Sequence, residues 1–223
     1  MRKLAITILI LLLPGLVFAT TSIGFMMGQF RPNANSDIWS VNFDNLILSA
    51  KNFNNTIYYF EWENIRRRSG LFFGFGSYLT RVNTEYRDWV WGDGSPIEQQ
   101  ITFKEVPFQI GWRFYPIPVW RKGILPFVGV GIEYVSWEWR QEGDFIDFSD
   151  PGLPIYYGDY RRTSGNFGVF LNGGVVVKFD RRYALRLSAI YHMAKGNLEP
   201  VFLDFEPIDL SGLMLMAGIS IYY

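Results

Sequence analysis

The sequence predicts an all-β protein: an eight-stranded antiparallel transmembrane β-barrel with up-and-down topology, preceded by a cleaved signal peptide. Three observations predict it. Period-two alternation of residue polarity dominates the chain, the only long apolar run lies at the start, and aromatic residues make up 18% of the sequence. Lipid offers the backbone no hydrogen-bond partners, so a chain that enters a membrane without apolar helices must close into a barrel.

The first segment has the form of a secretory signal. Arg2 and Lys3 supply positive charge, residues 4–18 form an apolar run, and the end of that run resembles an A-x-A-like cleavage site. The alternative, an uncleaved anchor helix, needs roughly 20 apolar residues, more than this run provides. We therefore expect a signal peptide at residues 1–19 and one barrel domain at residues 20–223.

Composition excludes several classes of function. The chain carries 21 basic and 21 acidic residues, so neither nucleic acid nor another polyanion is implied as a partner. It contains no cysteine, which excludes a disulfide scaffold and thiolate chemistry. We predict no catalytic residue, no cofactor and no metal site. The abundant Tyr and Trp favour a membrane–water interface, because one end of each ring is apolar and the other is polar.

The last segment, residues 209–223, shows the alternation most clearly. One face is mostly aliphatic, ends in an aromatic residue and suits contact with lipid; it comprises Ser211, Leu213, Leu215, Ala217, Ile219, Ile221 and Tyr223. The other face is small or flexible and suits a narrow interior; it comprises Gly212, Met214, Met216, Gly218, Ser220 and Tyr222.

Seven further segments complete the barrel. Four have the same division of faces and place their charged residues on the inward face: residues 105–115, 126–134, 167–179 and 183–193. Three more alternate in the same way: residues 22–30, 56–63 and 71–80. A tilted spanning strand needs about 9–11 residues, which these segments approach or exceed. The sequence thus predicts eight spanning strands.

The connections between these segments alternate in length. Short ones are expected at residues 64–70, 117–123 and 180–182, and long ones near residues 31–55, 82–100, 140–163 and 195–208. An even strand number puts both termini on the side of the short turns, which is periplasmic in bacterial barrels. The short turns are basic, with Arg66, Arg67, Arg68, Arg121, Lys122, Arg181 and Arg182. The third and fourth long loops are acidic, with Glu142, Asp144, Asp147, Asp150, Asp159, Glu199, Asp204 and Glu206.

The predicted interior carries ionisable residues on most strands. We predict a lumenal polar network of Glu61, Glu105, Arg113, Glu133, Arg186 and His192, together with Glu63 and Lys178. Paired carboxylates can perform acid–base chemistry, but a glycosidase needs an open cleft around a sugar. An eight-stranded barrel is just wide enough to be filled by its own side chains, which favours ion pairing. The sequence does not fix which carboxylate meets which arginine, because the shear of the barrel is unknown.

Two loop features carry oxygen atoms suited to calcium. They are Asp93, which a Gly-Ser pair follows, and the acidic run at residues 144–150. Neither matches the spacing of an EF-hand loop. Turn chemistry explains both features without a metal.

Four tryptophans lie near the ends of the third and fifth segments: Trp89, Trp91, Trp137 and Trp139. They suit either an interfacial girdle around the barrel or a patch for contact with a partner. We predict the girdle, because aromatic belts mark both membrane boundaries of such barrels.

The alternating aliphatic residues that end in Tyr223 resemble the β-signal of outer-membrane proteins. With the eight-strand layout, the chain resembles the OmpA/OmpX/OmpW-like group of small outer-membrane barrels. The resemblance implies an outer-membrane location, contact with outer-membrane lipids including lipopolysaccharide, a monomeric state, and insertion by the barrel-assembly machinery. That machinery would read the last strand through Leu215, Ala217, Ile219, Ile221 and Tyr223.

Three functions are compatible with this layout. The favoured one is a non-enzymatic barrel with a structural or surface-interaction role in the envelope. A second is a passage for small apolar molecules, as suggested for some OmpW-like proteins. A third is a lipid A-modifying acyl hydrolase, but Ala194 stands where the His-x-Ser motif of those enzymes would place serine after His192. A soluble lipocalin-like barrel is a rival fold, although the G-x-W motif of lipocalins is missing.

Overall fold

The structure is a computed structural model that describes residues 20–119, 123–203 and 205–223. The predicted signal peptide at residues 1–19 lies outside the described residues and stays a prediction. Among the described residues, no helix is both long enough and apolar enough to cross a membrane.

Nine strands and one α-helix make up the described part of the chain. The strands are β1 (Thr20–Pro32), β2 (Asn55–Arg66), β3 (Ser69–Val90), β4 (Pro96–Phe114), β5 (Gly123–Ile146), β6 (Ile155–Lys178), β7 (Tyr183–Gly196), β8 (Ile208–Asp209) and β9 (Gly212–Tyr222). The helix α1 (Asp37–Asn45) and a short 3₁₀ turn (Ala50–Phe53) lie between β1 and β2.

Eight of the strands form a closed antiparallel ring. Strands β1 to β7 pair each with the next along the chain, and β9 pairs with both β7 and β1. The closing register runs from Ser22 opposite Tyr222 to Pro32 opposite Gly212. The short β8 lies outside the ring and pairs only with the end of β7. This arrangement confirms the predicted eight-stranded, up-and-down barrel.

The barrel has two ends. The turn end carries the described termini and the β2–β3, β4–β5 and β6–β7 connections, and the loop end carries the other connections. In the band of the barrel nearer the turn end, outward side chains are uncharged and mostly apolar on every ring strand of the described chain, and we call this band the apolar belt. Phe167 and Val128, for example, expose 81% and 61% of their surface, whereas the inward Phe170 and Phe127 are buried. The predicted inward and outward faces of the strands are therefore correct.

Two of the predicted long loops are wrong, because they are mostly strand. β3 reaches Val90 and β4 starts at Pro96, while β5 and β6 are each 24 residues long. A spanning strand needs only about 9–11 residues, so these hairpins extend well beyond the hydrocarbon core. Past Tyr134 the outward positions of β5 become polar, at Ser136, Glu138 and Arg140. The inward positions stay apolar through Trp137 and Trp139, up to Gln141. Because the pattern changes outside the membrane, alternation with apolar outward faces does not predict these parts of the strands.

The predicted tryptophan girdle is wrong for two of its four members. Trp137 and Trp139 point into the barrel and are 1% and 0% exposed. Both lie an even number of residues after the inward-facing Glu133 on β5. The β4–β5 register has no bulge between these positions, so their side chains point to the same side. Trp89 is exposed, and Trp91 is half-buried against the interior cluster.

The first connection fills the loop end of the lumen. The α1 residue Trp39 packs edge-to-face against Phe53 and Trp139, with both centroid separations 4.7 Å, and lies 5.3 Å from Phe103. Its indole N–H donates to the Asp209 carbonyl oxygen at 3.3 Å. We call Trp39, Phe53, Phe103 and Trp139 the aromatic plug; all four are fully buried. A second apolar cluster, around Tyr115 and Phe127, fills the turn end.

Close packing within the lumen depends on inward-facing glycines. The Tyr59 hydroxyl on β2 occupies the space where a Cβ atom at Gly74 on β3 would lie. From that position it donates a hydrogen bond of 2.7 Å to Gln109 on β4. The small residue thus lets a tyrosine reach across the interior.

The substitution Gly74→Ala should destabilise the barrel by about 1–3 kcal/mol, because the new methyl group displaces Tyr59 from its hydrogen bond. Urea unfolding of the barrel in detergent micelles measures the change. The matched control is Gly173→Ala, where the nearest atom is 3.9 Å from the added Cβ, and its effect should stay within about 0.5 kcal/mol. Equal effects of the two substitutions would contradict this account of the packing.

Candidate functional site in the barrel lumen

A layer of four charged side chains crosses the lumen near its turn end. Arg113 of β4 and Arg186 of β7 both form ion pairs with Glu61 and Glu63 of β2. Each arginine lies 3.0 Å from Glu63 Oε2, through Arg113 Nη1 and Arg186 Nη2. None of the four side chains is more than 1% exposed. The two positive and two negative charges balance, as burial in a low-dielectric interior requires.

Neutral groups complete the hydrogen bonding of this layer. The Tyr115 hydroxyl donates to Glu63 Oε1 at 2.7 Å. Arg113 Nε donates to Asn172 at 2.9 Å, and the Asn172 amide donates in turn to Ser188 at 3.0 Å. These bonds offset part of the cost of removing the charges from water.

Aromatic rings cover the guanidinium group of Arg113. Its Cζ atom lies 3.9 Å from the ring centroid of Phe72 and 4.7 Å from that of Phe127. Cation–π contacts of this kind add stabilisation when the cation is desolvated. The arginine is therefore held by ion pairs at its edge and by rings over its plane.

A second polar group lies closer to the loop end. His192 Nδ1 on β7 is 3.0 Å from Glu133 Oε1 on β5, and Gln109 Nε2 donates to the other oxygen of Glu133 at 2.7 Å. Tyr59 links this group to β2 through Gln109. The resulting chain of bonds ties four strands together across the interior.

Glu105 is buried in the lumen without the hydrogen bonds that the other carboxylates there have in the described chain. Both of its carboxylate oxygens are buried, and neither forms a hydrogen bond within the described residues. Its one ion-pair contact there is His192 Nε2, at 3.7 Å. His192 therefore lies between Glu105 and Glu133, and in its protonated form it would offset charge on both.

The predicted network residues thus fall into two groups. Glu61, Arg113 and Arg186 meet in the charge layer, whereas Glu105, Glu133 and His192 meet nearer the loop end. Lys178 lies apart at the turn end, where its Nζ donates to the Val119 carbonyl oxygen at 3.1 Å. Sequence reasoning assigned no role to four further members: Tyr59, Gln109, Tyr115 and Asn172. The alternation along each strand places all four on the inward face, and this was the only sequence feature that pointed to them.

The chemistry open to this site is limited by its burial. His192 is 0% exposed, and the Ser188 hydroxyl already accepts a hydrogen bond from Asn172. No hydrogen bond joins His192 to a serine hydroxyl in the described chain. Within the same residues, no cluster of three or more His, Cys, Asp or Glu side chains has the arrangement of a metal site.

The two loop features with calcium-like composition form turns. Asp93 Oδ1 accepts hydrogen bonds from the Ser95 amide at 2.9 Å and from its hydroxyl at 2.7 Å, and Asp147 accepts the same pair from Ser149. The side-chain and backbone bonds from the serines lower the pKa of both aspartates. Local turn chemistry therefore accounts for Asp93 and Asp147.

At the loop end, a cleft of about 320 Å³ lies beside α1. Its walls are largely apolar and include Phe145, Phe148 and Tyr160. On one side the Gln141 amide donates to Asn42 at 2.9 Å and to Gln99 at 2.6 Å. A mainly apolar hollow with a few fixed polar groups has the composition of a binding site.

The closed ring, the apolar belt and the filled, charge-bearing lumen together define the architecture of a small outer-membrane β-barrel. No protein-family model and no curated protein matches the sequence. Solved structures do match: the outer membrane protein OprG of Pseudomonas aeruginosa aligns with a TM-score of 0.54 at 11% identity, over 92% of this chain and 96% of that one.

Two further solved structures give the same result. A major outer membrane protein of Thermus thermophilus aligns with a TM-score of 0.53 at 10% identity, over 92% of this chain and 99% of that one. Neisserial surface protein A aligns with a TM-score of 0.51 at 9% identity, over 92% and 97%. At these identities the likeness concerns the fold, and it confirms the predicted resemblance to small outer-membrane barrels at that level.

The substitution Arg113→Met should destabilise the barrel by about 3–5 kcal/mol, because it leaves two buried carboxylates with one arginine between them. The matched control is Arg161→Met, which removes an ion pair with Glu138 from an arginine that is 60% exposed. An exposed pair contributes less than about 1 kcal/mol. Urea unfolding in lipid vesicles measures both, and an Arg113 effect as small as that of Arg161 would refute a stabilising role for the layer.

Proposed function

We propose that this protein is a non-enzymatic outer-membrane barrel that acts through the surface it presents outside the cell, as a structural and surface-contact component of the envelope. The observation that carries the proposal is the exposed aromatic surface on the extended hairpins. It comprises Trp89, Phe148, Tyr156 and Tyr157, of which Tyr157 is 71% exposed. We call this set the loop-end aromatic surface.

Three rings of this surface, those of Trp89, Phe148 and Tyr156, pack against neighbouring aromatic rings. Trp89 packs against Phe148 with centroids 5.8 Å apart, and Tyr156 stacks on Phe145 at 6.0 Å. Large contiguous patches of exposed apolar side chains on a folded protein mark interaction sites. Rigid aromatic side chains also lose little entropy on binding, which suits them to contact with another surface.

The filled interior supports a role at the surface over a role as a passage. The aromatic plug occupies the loop end, and the charge layer beneath it is buried. A solute that crossed the lumen would have to displace the plug and break the ion pairs of Arg113 and Arg186. The alternative of a passage for small apolar molecules therefore requires a large rearrangement.

The interior also favours a non-enzymatic role. His192, the sole histidine of the sequence, contacts Glu133 and Glu105 in the closed lumen. An acyl hydrolase would need its nucleophile and base open to a lipid substrate. The buried position of His192 suits a structural role better.

The proposal also assigns location and partners. In this proposal the apolar belt contacts the lipids of the outer membrane. Lipopolysaccharide lies beside the loop end and phospholipid beside the turn end. The outward face of the last strand would serve as the assembly signal, through Leu215, Ala217, Ile219, Ile221 and Tyr223. We expect a monomer inserted by the barrel-assembly machinery.

Substituting Trp89, Phe148 and Tyr157 together by serine should reduce attachment of expressing cells to a hydrocarbon surface to the level of cells that lack the protein. The reason is that these rings supply exposed apolar area beyond the membrane. Partition of cells into hexadecane measures the effect, with heat-modifiable gel migration as the check that the variant folds.

The matched control is Ser149→Ala with Asp150→Ser, which changes polar residues of the same hairpin. It should leave attachment unchanged.

Planar-bilayer recording tests the alternative of a passage. A wild-type barrel without conductance agrees with the proposal, whereas a steady ohmic conductance would favour the passage. Unchanged attachment of the triple-serine variant would remove the surface role.

A further inference from the structure

The turn end carries three consecutive arginines without counter-charges. Arg66 ends β2, Arg67 and Arg68 form the β2–β3 turn, and all three are exposed. None of the three pairs with a carboxylate of the described residues. The turn is held in place, because the Tyr115 amide donates to the Arg68 carbonyl oxygen at 2.7 Å. The backbone therefore presents three positively charged side chains at one point of the barrel rim.

A cleft lies between this turn and the lipid-facing side of β4. Its volume is about 730 Å³, and its walls are the three arginines, Ser69, Trp112, Phe114 and Pro118. Ser69 lies opposite Phe114 in the β3–β4 register, which places the turn directly beside the aromatic pair. The cleft thus combines cationic and apolar walls.

The same aromatic pair also borders a second, apolar groove. Trp112 and Phe114 line a hollow of about 420 Å³ with Val128, Val130 and Leu171. The register explains its direction: Phe114 lies opposite Val128, Trp112 opposite Val130, and Val130 opposite Leu171. The groove therefore runs from the arginine turn along the outside of the barrel, within the apolar belt.

We propose that the arginine turn and this groove together bind one anionic phospholipid. The guanidinium groups would hold the phosphate, for which their planar forks give paired hydrogen bonds. An acyl chain would lie along Trp112, Val130 and Leu171. The occupant is inferred from charge complementarity at one end and from the continuity of the groove with the lipid-facing belt at the other.

An acyl chain is what separates a phospholipid from a soluble anion. A phosphate or an acidic peptide from the aqueous phase would fill the cationic cleft and leave the groove empty. The zwitterionic phospholipids have a phosphate but an added positive charge, which the three arginines repel. The site should therefore prefer an anionic headgroup over a zwitterionic one. Because Trp112 lines the groove, quenching of its fluorescence by bound lipid should report this preference.

The test uses the full barrel in vesicles of phosphatidylcholine and phosphatidylglycerol, in which one lipid at a time carries brominated acyl chains. Bromine quenches tryptophan on contact, and the difference between wild type and Trp112→Phe isolates the signal of Trp112. At equal mole fraction, brominated phosphatidylglycerol should quench Trp112 more strongly, with a preference on the order of fivefold.

The preference should disappear when Arg66, Arg67 and Arg68 are replaced together by glutamine. It should persist in the matched control Arg181→Gln with Arg182→Gln, which removes charge from another turn at the same end. Equal quenching by the two lipids in the wild type would overturn the proposal. So would equal loss in both variants, because that indicates general surface charge, or abolition by inorganic phosphate, which indicates a site for the anion alone.

Discussion

The structure follows from the need of every backbone N–H and C=O group in hydrocarbon to find a partner within the chain. An open sheet would leave two unpaired edges in lipid, so the last strand must return to the first. Strand β9 does so along its length, from Ser22 opposite Tyr222 to Pro32 opposite Gly212. Closure then divides all side chains into two sets. The outward set meets acyl chains and excludes charge, which leaves the inward set to hold every charged residue at membrane depth.

The inward charges in turn must neutralise one another. Arg113 and Arg186 come from β4 and β7, and their carboxylate partners Glu61 and Glu63 lie two residues apart on β2. The layer therefore joins three separated strands of the ring, and the aromatic plug and the turn-end cluster seal it from water on both sides. A lumen built in this way is a rigid core. Variation in function is left to the two ends and to the lipid-facing surface.

Parity along each strand was enough to predict the faces of the barrel, since Glu61 and Arg113 each lie on the side that alternation indicates. It was not enough to predict their contacts, because pairing across the lumen depends on the stagger of the closed ring. The hairpin of β5 and β6 shows a second limit. Trp137 and Trp139 continue the inward parity of Glu133, but the outward residues turn polar beyond the membrane, so a search for apolar outward faces ended the strand too early.

The most direct test of ring closure is a disulfide across the first and last strands, since the sequence contains no cysteine. Met27 and Ala217 lie opposite each other in the β1–β9 register and both face outward. The double variant Met27→Cys with Ala217→Cys should form an intramolecular disulfide in folded protein, seen as a gel shift that reductant reverses. Met27→Cys with Val169→Cys, on β6, should form none. A folded barrel that failed to crosslink the first pair, or crosslinked only between molecules, would contradict closure.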